Sequence, residues 1–229
     1  MKNLLFSLTC TTLLFALSAC NDGGEPAEVE ASPTVESVNA SDNPPVAEGD
    51  YRPIDTDEAL VETAVLAAPE ASRAGAKVIG YNMAGEFVTL REGNNEFICL
   101  ADDPNKEGFS AACYHKDMEP FMTRGRELRE EGKNAQEIFA MREEEVKSKK
   151  LAMGETGSTL HIYYGDNATY DPATGSIPGA QYRYVVYMPY ATAASTGLPE
   201  SPVAPNHPWI MDPGTHRAHI MISPLAEGK

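Results

Sequence analysis

The 229-residue chain carries 34 acidic against 18 basic side chains, a net charge of −16 with histidine neutral. A surface this acidic repels phosphate backbones and anionic headgroups alike, which argues against nucleic acid as a partner. Apolar residues make up 42% of the chain, enough for a core, and the length suits one sizeable domain plus an extension.

In chain order, Lys2 gives a positive start, and Leu4, Leu5, Phe6, Leu8, Leu13, Leu14, Phe15 and Leu17 give an apolar core. Broken by Ser and Thr, this run falls short of the roughly 20 apolar residues that span a bilayer and reads as a signal peptide. It ends in Leu17-Ser18-Ala19-Cys20, an aliphatic residue and two small ones before a cysteine. That tetrad resembles the lipobox of bacterial lipoproteins. The resemblance implies removal of residues 1–19, a diacylglycerol thioether on Cys20 and an acylated amine, together a lasting membrane anchor. It also implies residence in the cell envelope, facing the periplasm or the exterior. Loss of Lys2, the only charge in residues 1–19, takes the net charge from −16 to −17.

Residues 20–53 change character. Asp22, Glu25, Glu28, Glu30, Glu36, Asp42, Glu48 and Asp50 face one base, Arg52, among five prolines. Such a stretch buries too little apolar surface to offset ordering entropy, so a disordered tether is expected, with a coil span of roughly 30 Å.

Residues 54–229 read as a single folded domain. Asp55 and Glu58 suggest a capped helix start, with Val61, Val65 and Ala68 on one face and Pro69 as the stop. A strand is expected over 77–82. Strands over 86–90 and 96–100 flank Glu92-Gly93-Asn94-Asn95, which has hairpin-loop chemistry, and both faces of that hairpin carry apolar residues. A polar loop over 102–108 leads to Cys113. Met118, Phe121, Met122, Gly125 and Leu128 outline a helix broken at Gly132, and Asn134 with Glu137 forms a capping box for a second. There Glu143–Lys147 and Glu145–Lys149 are favourable i,i+4 pairs on a solvated face. Strands follow over 159–164, 182–188, 209–211 and 218–222, with a short helix within 189–197 and an irregular stretch over 198–208. The expected class is α+β, a mostly antiparallel sheet with two or three packed helices, after the disordered tether.

Two blocks carry a second resemblance. One is Gly85-Glu86-Phe87-Val88-Thr89-Leu90-Arg91-Glu92-Gly93 running on to Cys99, Asp102, Asp103, Pro104 and Cys113. The other is Trp209-Ile210-Met211-Asp212-Pro213-Gly214-Thr215 with Ala218-His219-Ile220-Met221-Ile222. Together they are similar to a group of exported bacterial proteins of unknown function, which implies export and brings no activity.

With Cys10 lost in the signal and Cys20 lipidated, Cys99 and Cys113 are expected to form one disulfide in an oxidising compartment. The competing reading is a reduced thiol beside His115. His161, His207, His216 and His219 could bind a transition metal only by converging, and no His-Glu-x-x-His motif is present, so neither a metal site nor another cofactor is expected. His161, Asp212, His216 and His219 are the candidates for acid–base chemistry. Asp102, Asp103 and Asp171 read as turn formers. Tyrosines crowd the C-terminal half, and Tyr182, Tyr184 and Trp209 are candidates for contacting protein, peptide or carbohydrate. The leading expectation is a membrane-anchored binding or interaction module. The alternative is a metal-dependent or His/Asp enzyme centred on the C-terminal histidines.

Overall fold

The computed structural model describes residues 50–224. The signal segment, Cys20 and nearly all of the tether lie outside them. Strand β1 (Arg52–Pro53), at the end of the expected tether, pairs antiparallel with β7 (Thr169–Tyr170), so ordered pairing begins just before Ile54.

Helix α1 (Asp57–Ala64) opens at Thr56, whose Oγ1 accepts the Ala59 N–H at 3.1 Å. The expected cap, Asp55, is displaced by one residue, because the Thr56 hydroxyl reaches the third helical amide while Asp57 accepts the Met83 N–H at 2.8 Å. A 3-10 turn (Val65–Ala67) then shifts the phase of the buried face. Leu60, Thr63, Ala64 and Ala67 point inward instead of Val61 and Val65, which are only half-buried. Small alanines there let the helix lie close to the sheet. Pro69 ends the run and leads into α2 (Glu70–Arg73).

The main sheet has eight strands: β2 (Lys77–Tyr81), β3 (Phe87–Arg91), β4 (Phe97–Leu100), β5 (Phe109–His115), β6 (Thr159–Gly165), β8 (Gln181–Tyr187), β9 (Trp209–Met211) and β10 (His219–Ile222). Their spatial order is β3-β2-β4-β5-β6-β8-β10-β9, and every neighbouring pair is antiparallel except β2 with β4. The fold is the expected α+β class.

The expected hairpin between β3 and β4 does not form. Strand β3 instead turns back from β2, where the Asn82 carboxamide oxygen accepts the N–H groups of Ala84 at 3.1 Å and Glu86 at 2.8 Å. The 92–95 loop carries the chain across to the far side of β2. Asn94 and Asn95 both donate to the Gly75 carbonyl, and a Cβ on Gly93 would stand 2.2 Å from the Lys77 nitrogen. Strand β3 is therefore an edge, with Phe87 and Thr89 exposed where cover on both faces was expected.

On one face of the sheet, α1 and the 3-10 turn after it close a core that holds Cys99, Cys113, Phe109 and Tyr163. On the other, α3 (Glu119–Glu130) and α4 (Ala135–Lys147) cover Tyr114, Phe121, Val185 and Tyr187. The capping box at Asn134 and Glu137 is present, as is the Glu143–Lys147 pair at 2.8 Å. Glu145 turns to Arg124 at 2.9 Å, not to Lys149, which lies beyond the helix at φ 59°. With the four-residue α5 (Ala193–Thr196), the described residues form five α-helices, three of them longer than four residues. None is long and apolar enough to cross a membrane.

Cys99 and Cys113 face each other across β4 and β5 at disulfide distance, both fully buried beneath α1. A reduced, reactive thiol beside His115 is thereby replaced by a cross-link.

Candidate functional site

The sheet divides the histidines. His161 on β6 stands opposite Tyr184, and His219 on β10 stands opposite Tyr187. Tyr184 and Tyr187 are three residues apart on one strand and point to opposite faces, so the two imidazoles do too. His161 packs edge-on against Phe97 and Tyr184, and burial holds its pKa down. His219, also lowered by burial, places Nδ1 2.7 Å from the Arg217 carbonyl.

His216 is fully buried, between the rings of Phe121 and Phe139, with Nδ1 3.0 Å from Glu143 Oε2. Burial disfavours its cation more strongly than Glu143 favours it, and Nε2 is left without a partner. Asp212, in a left-handed turn at φ 50°, pairs with Arg217 at 3.2 Å. The sheet thus sets His161 on the opposite face from His219, while His216 is held by Glu143 and Asp212 by Arg217. Among the described residues no three His, Cys, Asp or Glu side chains are arranged to hold a metal ion.

His115 Nδ1 lies 2.8 Å from Asp117, whose second oxygen accepts from the Ser158 hydroxyl at 2.7 Å. The carboxylate stands between serine and imidazole, so this set ties a loop and activates no nucleophile. Asp171 accepts the Ala173 N–H at 2.9 Å and Asp103 the Asn105 N–H at 3.1 Å, as turn formers do, whereas the buried Asp102 accepts the Ser110 N–H at 2.9 Å, eight residues on, and ties the loop to β5.

Nor do the aromatic candidates form one surface. Tyr182 and Tyr184 stack in a row with Tyr163 and, with His161, border a shallow opening of about 390 Å³ beside Ala68, Pro69 and Arg73. Tyr184 pairs with Ile222, whereas Trp209 pairs with the adjacent Met221, which places Trp209 on the opposite face. Trp209 lines an open groove under the irregular 202–207 segment.

The feature that sequence reasoning missed lies between α3, α4 and the sheet. A cleft of about 290 Å³ is walled by Leu100, Ala112, Phe121, Met122 and Leu160, with Tyr114 and Tyr187 at its sides. Four arginines reach it: Arg126 and Arg129 from α3, Arg142 from α4, and Arg217 from the turn before β10. Among the described residues no carboxylate lines it. In a chain of net charge −16 that is a sharp local reversal.

Arg142 sits one turn beyond Ile138 on the buried face of α4 and is 9% exposed. Its guanidinium lies 4.0 Å from the centre of the Phe121 ring, and Nη1 donates to the Phe121 carbonyl at 3.2 Å. Nε is buried with no partner among the described residues. Burial, reinforced by Arg217, pulls its pKa down to about 10, so it is still a cation at neutral pH. Gly125 makes room for it, since a Cβ there would stand 2.9 Å from Nη1.

The neighbouring groups are paired unevenly. Arg126 binds Glu119 at 2.7 Å and donates to the Tyr114 hydroxyl, which itself donates to Glu119. Burial, then Glu119, pushes the Tyr114 phenol well above its ordinary range. Burial also raises the pKa of Tyr187. Arg129 has no carboxylate partner among the described residues. Through Leu100, Arg126 and Arg129 the cleft continues into a second opening of about 300 Å³ beneath Phe87 and Tyr81. One sequence signal marked the site: an arginine within the apolar stripe Ile138-Arg142-Val146, facing a glycine inside the preceding helix.

No family model matches the chain, and no curated protein or solved structure matches it either.

Proposed function

We propose that the protein is a lipid-anchored module of the bacterial cell envelope, facing the periplasm or the exterior, that binds a small ligand and does not transform it. The lipobox and the acidic tether support the anchoring. The observation that carries the binding is the cleft under α3, a preformed opening whose walls combine apolar surface with polar groups the protein leaves unpaired. The separation of His161 from His219 by the sheet weighs against the enzyme reading, which needs them together.

Fractionation tests the anchor. The wild-type chain is expected in the membrane fraction, and Cys20→Ser in the soluble fraction. Native mass spectrometry of protein isolated from its own envelope tests the binding, with a stoichiometric small adduct expected and lost when Met122→Trp fills the cleft. A metal adduct lost in the His216→Ala, His219→Ala double variant would replace this reading with the metal-dependent enzyme.

A further inference from the structure

Resting on the reading of the α3 cleft as a ligand site, we infer that its occupant is a small organic monoanion: a carboxylate-type head held by Arg142, with a short apolar body.

A guanidinium nine-tenths buried, with its Nε unmatched among the described residues, is unfavourable unless something completes it. Its Nη1 is used by the Phe121 carbonyl, and Phe121 also covers one face of the group. The Nε and Nη2 edge has no protein acceptor among the described residues. Two parallel N–H groups on one edge match the two oxygens of a carboxylate, a geometry lysine cannot offer.

The neighbours point the same way. Arg126 and Arg217 have their own carboxylates, Glu119 and Asp212, whereas Arg129 and Arg142 have none among the described residues. The cleft's own lining therefore gives Arg129 and Arg142 no carboxylate among the described residues, and acidic groups enter only at the second opening, as Asp103 and Glu130. Tyr187 adds a hydroxyl with no protein partner among the described residues.

The remaining walls set size and valence. Leu100, Ala112, Met122 and Leu160 would cover an apolar body, and about 290 Å³ holds only a small molecule. The acidic exterior repels a polyanion before it can enter, which selects a single charge.

Gly125 fits the same account. Glycine inside a helix is less favourable than alanine by roughly 0.5–1 kcal/mol, and the space it leaves is occupied by the Arg142 guanidinium. Gly125→Ala displaces the end of a flexible side chain and improves helix propensity, so the variant is expected to fold.

The test is isothermal titration of the purified full-length protein with hexanoate, hexan-1-ol, hexylammonium and inorganic phosphate. Hexanoate is expected to bind at least tenfold more tightly than the other three, and to lose at least tenfold in affinity in both Gly125→Ala and Arg142→Gln. Equal affinity for hexan-1-ol, lost in Met122→Trp, would overturn the anion while leaving the cleft as a ligand site. Phosphate binding as tightly as hexanoate would overturn the apolar body. Hexanoate affinity unchanged in Gly125→Ala would overturn the role of Arg142, whether or not Arg142→Gln folds. If no probe binds, this inference falls, while the binding-module reading falls only if native mass spectrometry also finds no adduct.

Discussion

Arg142 carries a charge into the interior with its Nε unsatisfied, and nothing else in the described fold requires a cation there. An unmatched buried charge opposes folding, so an apolar residue of similar length should hold the helices together better. Arg142→Met is expected to raise stability by roughly 1–4 kcal/mol in denaturant unfolding, even as it removes the anion site. A clear loss of stability would mean that the guanidinium is a structural strut.

The histidines make the second prediction at this scale. Burial lowers the pKa values of His161, His216 and His219 from the ordinary 6.5, so each binds a proton more readily in the unfolded chain. Their contribution is complete above about pH 6.5 and is lost as pH falls below it. The thermal midpoint should therefore drop as pH falls below about 6.5, and His216→Phe should flatten the drop. A midpoint that is flat through this window in the wild type would contradict the burial account.

Elements whose signals are local to the chain behave as their residues dictate. Asn134 accepts the N–H groups of Gln136 and Glu137 while Glu137 reaches back to the Asn134 amide, and Asn134→Ala should lower stability by about 1 kcal/mol. The disulfide joins neighbouring strands 14 residues apart in sequence, and the double change of Cys99 and Cys113 to Ala should remove about 3 kcal/mol, measured by denaturant unfolding. Strands β6, β8, β9 and β10 were readable from β-branched and aromatic runs, and α4 from its capping box. What was not readable is which strand each one joins. Residues 82–85 and 92–95 both have turn chemistry, and the periodicity of β3 and β4 is compatible with pairing at either turn. The choice is made by tertiary contacts, chiefly Asn94 and Asn95 on the Gly75 carbonyl. Likewise the cap moved from Asp55 to Thr56 because Asp57 has a distant partner in Met83.

Across the whole molecule the candidate site was the least readable part. His161, Asp212, His216 and His219 attract notice by residue type, yet the sheet puts His161 on the opposite face from His219, and Glu143 and Arg217 hold His216 and Asp212. The arginines drew none, because they come from three segments as distant in sequence as Arg126 and Arg217 and meet only when α3 and α4 pack on the sheet. The fold encloses a positive cleft inside an acidic shell, an arrangement suited to retaining a small anion while excluding larger ones.

The measurement that tests this account most directly is the NMR signal of the Arg142 Nε–H group as hexanoate is added. We predict that it shifts and saturates with hexanoate, that hexan-1-ol leaves it in place, and that the backbone amides around His161 and Tyr184 do not respond. A saturating response at His161 and Tyr184 with Arg142 unmoved would contradict the account and assign the ligand to the opposite face of the sheet.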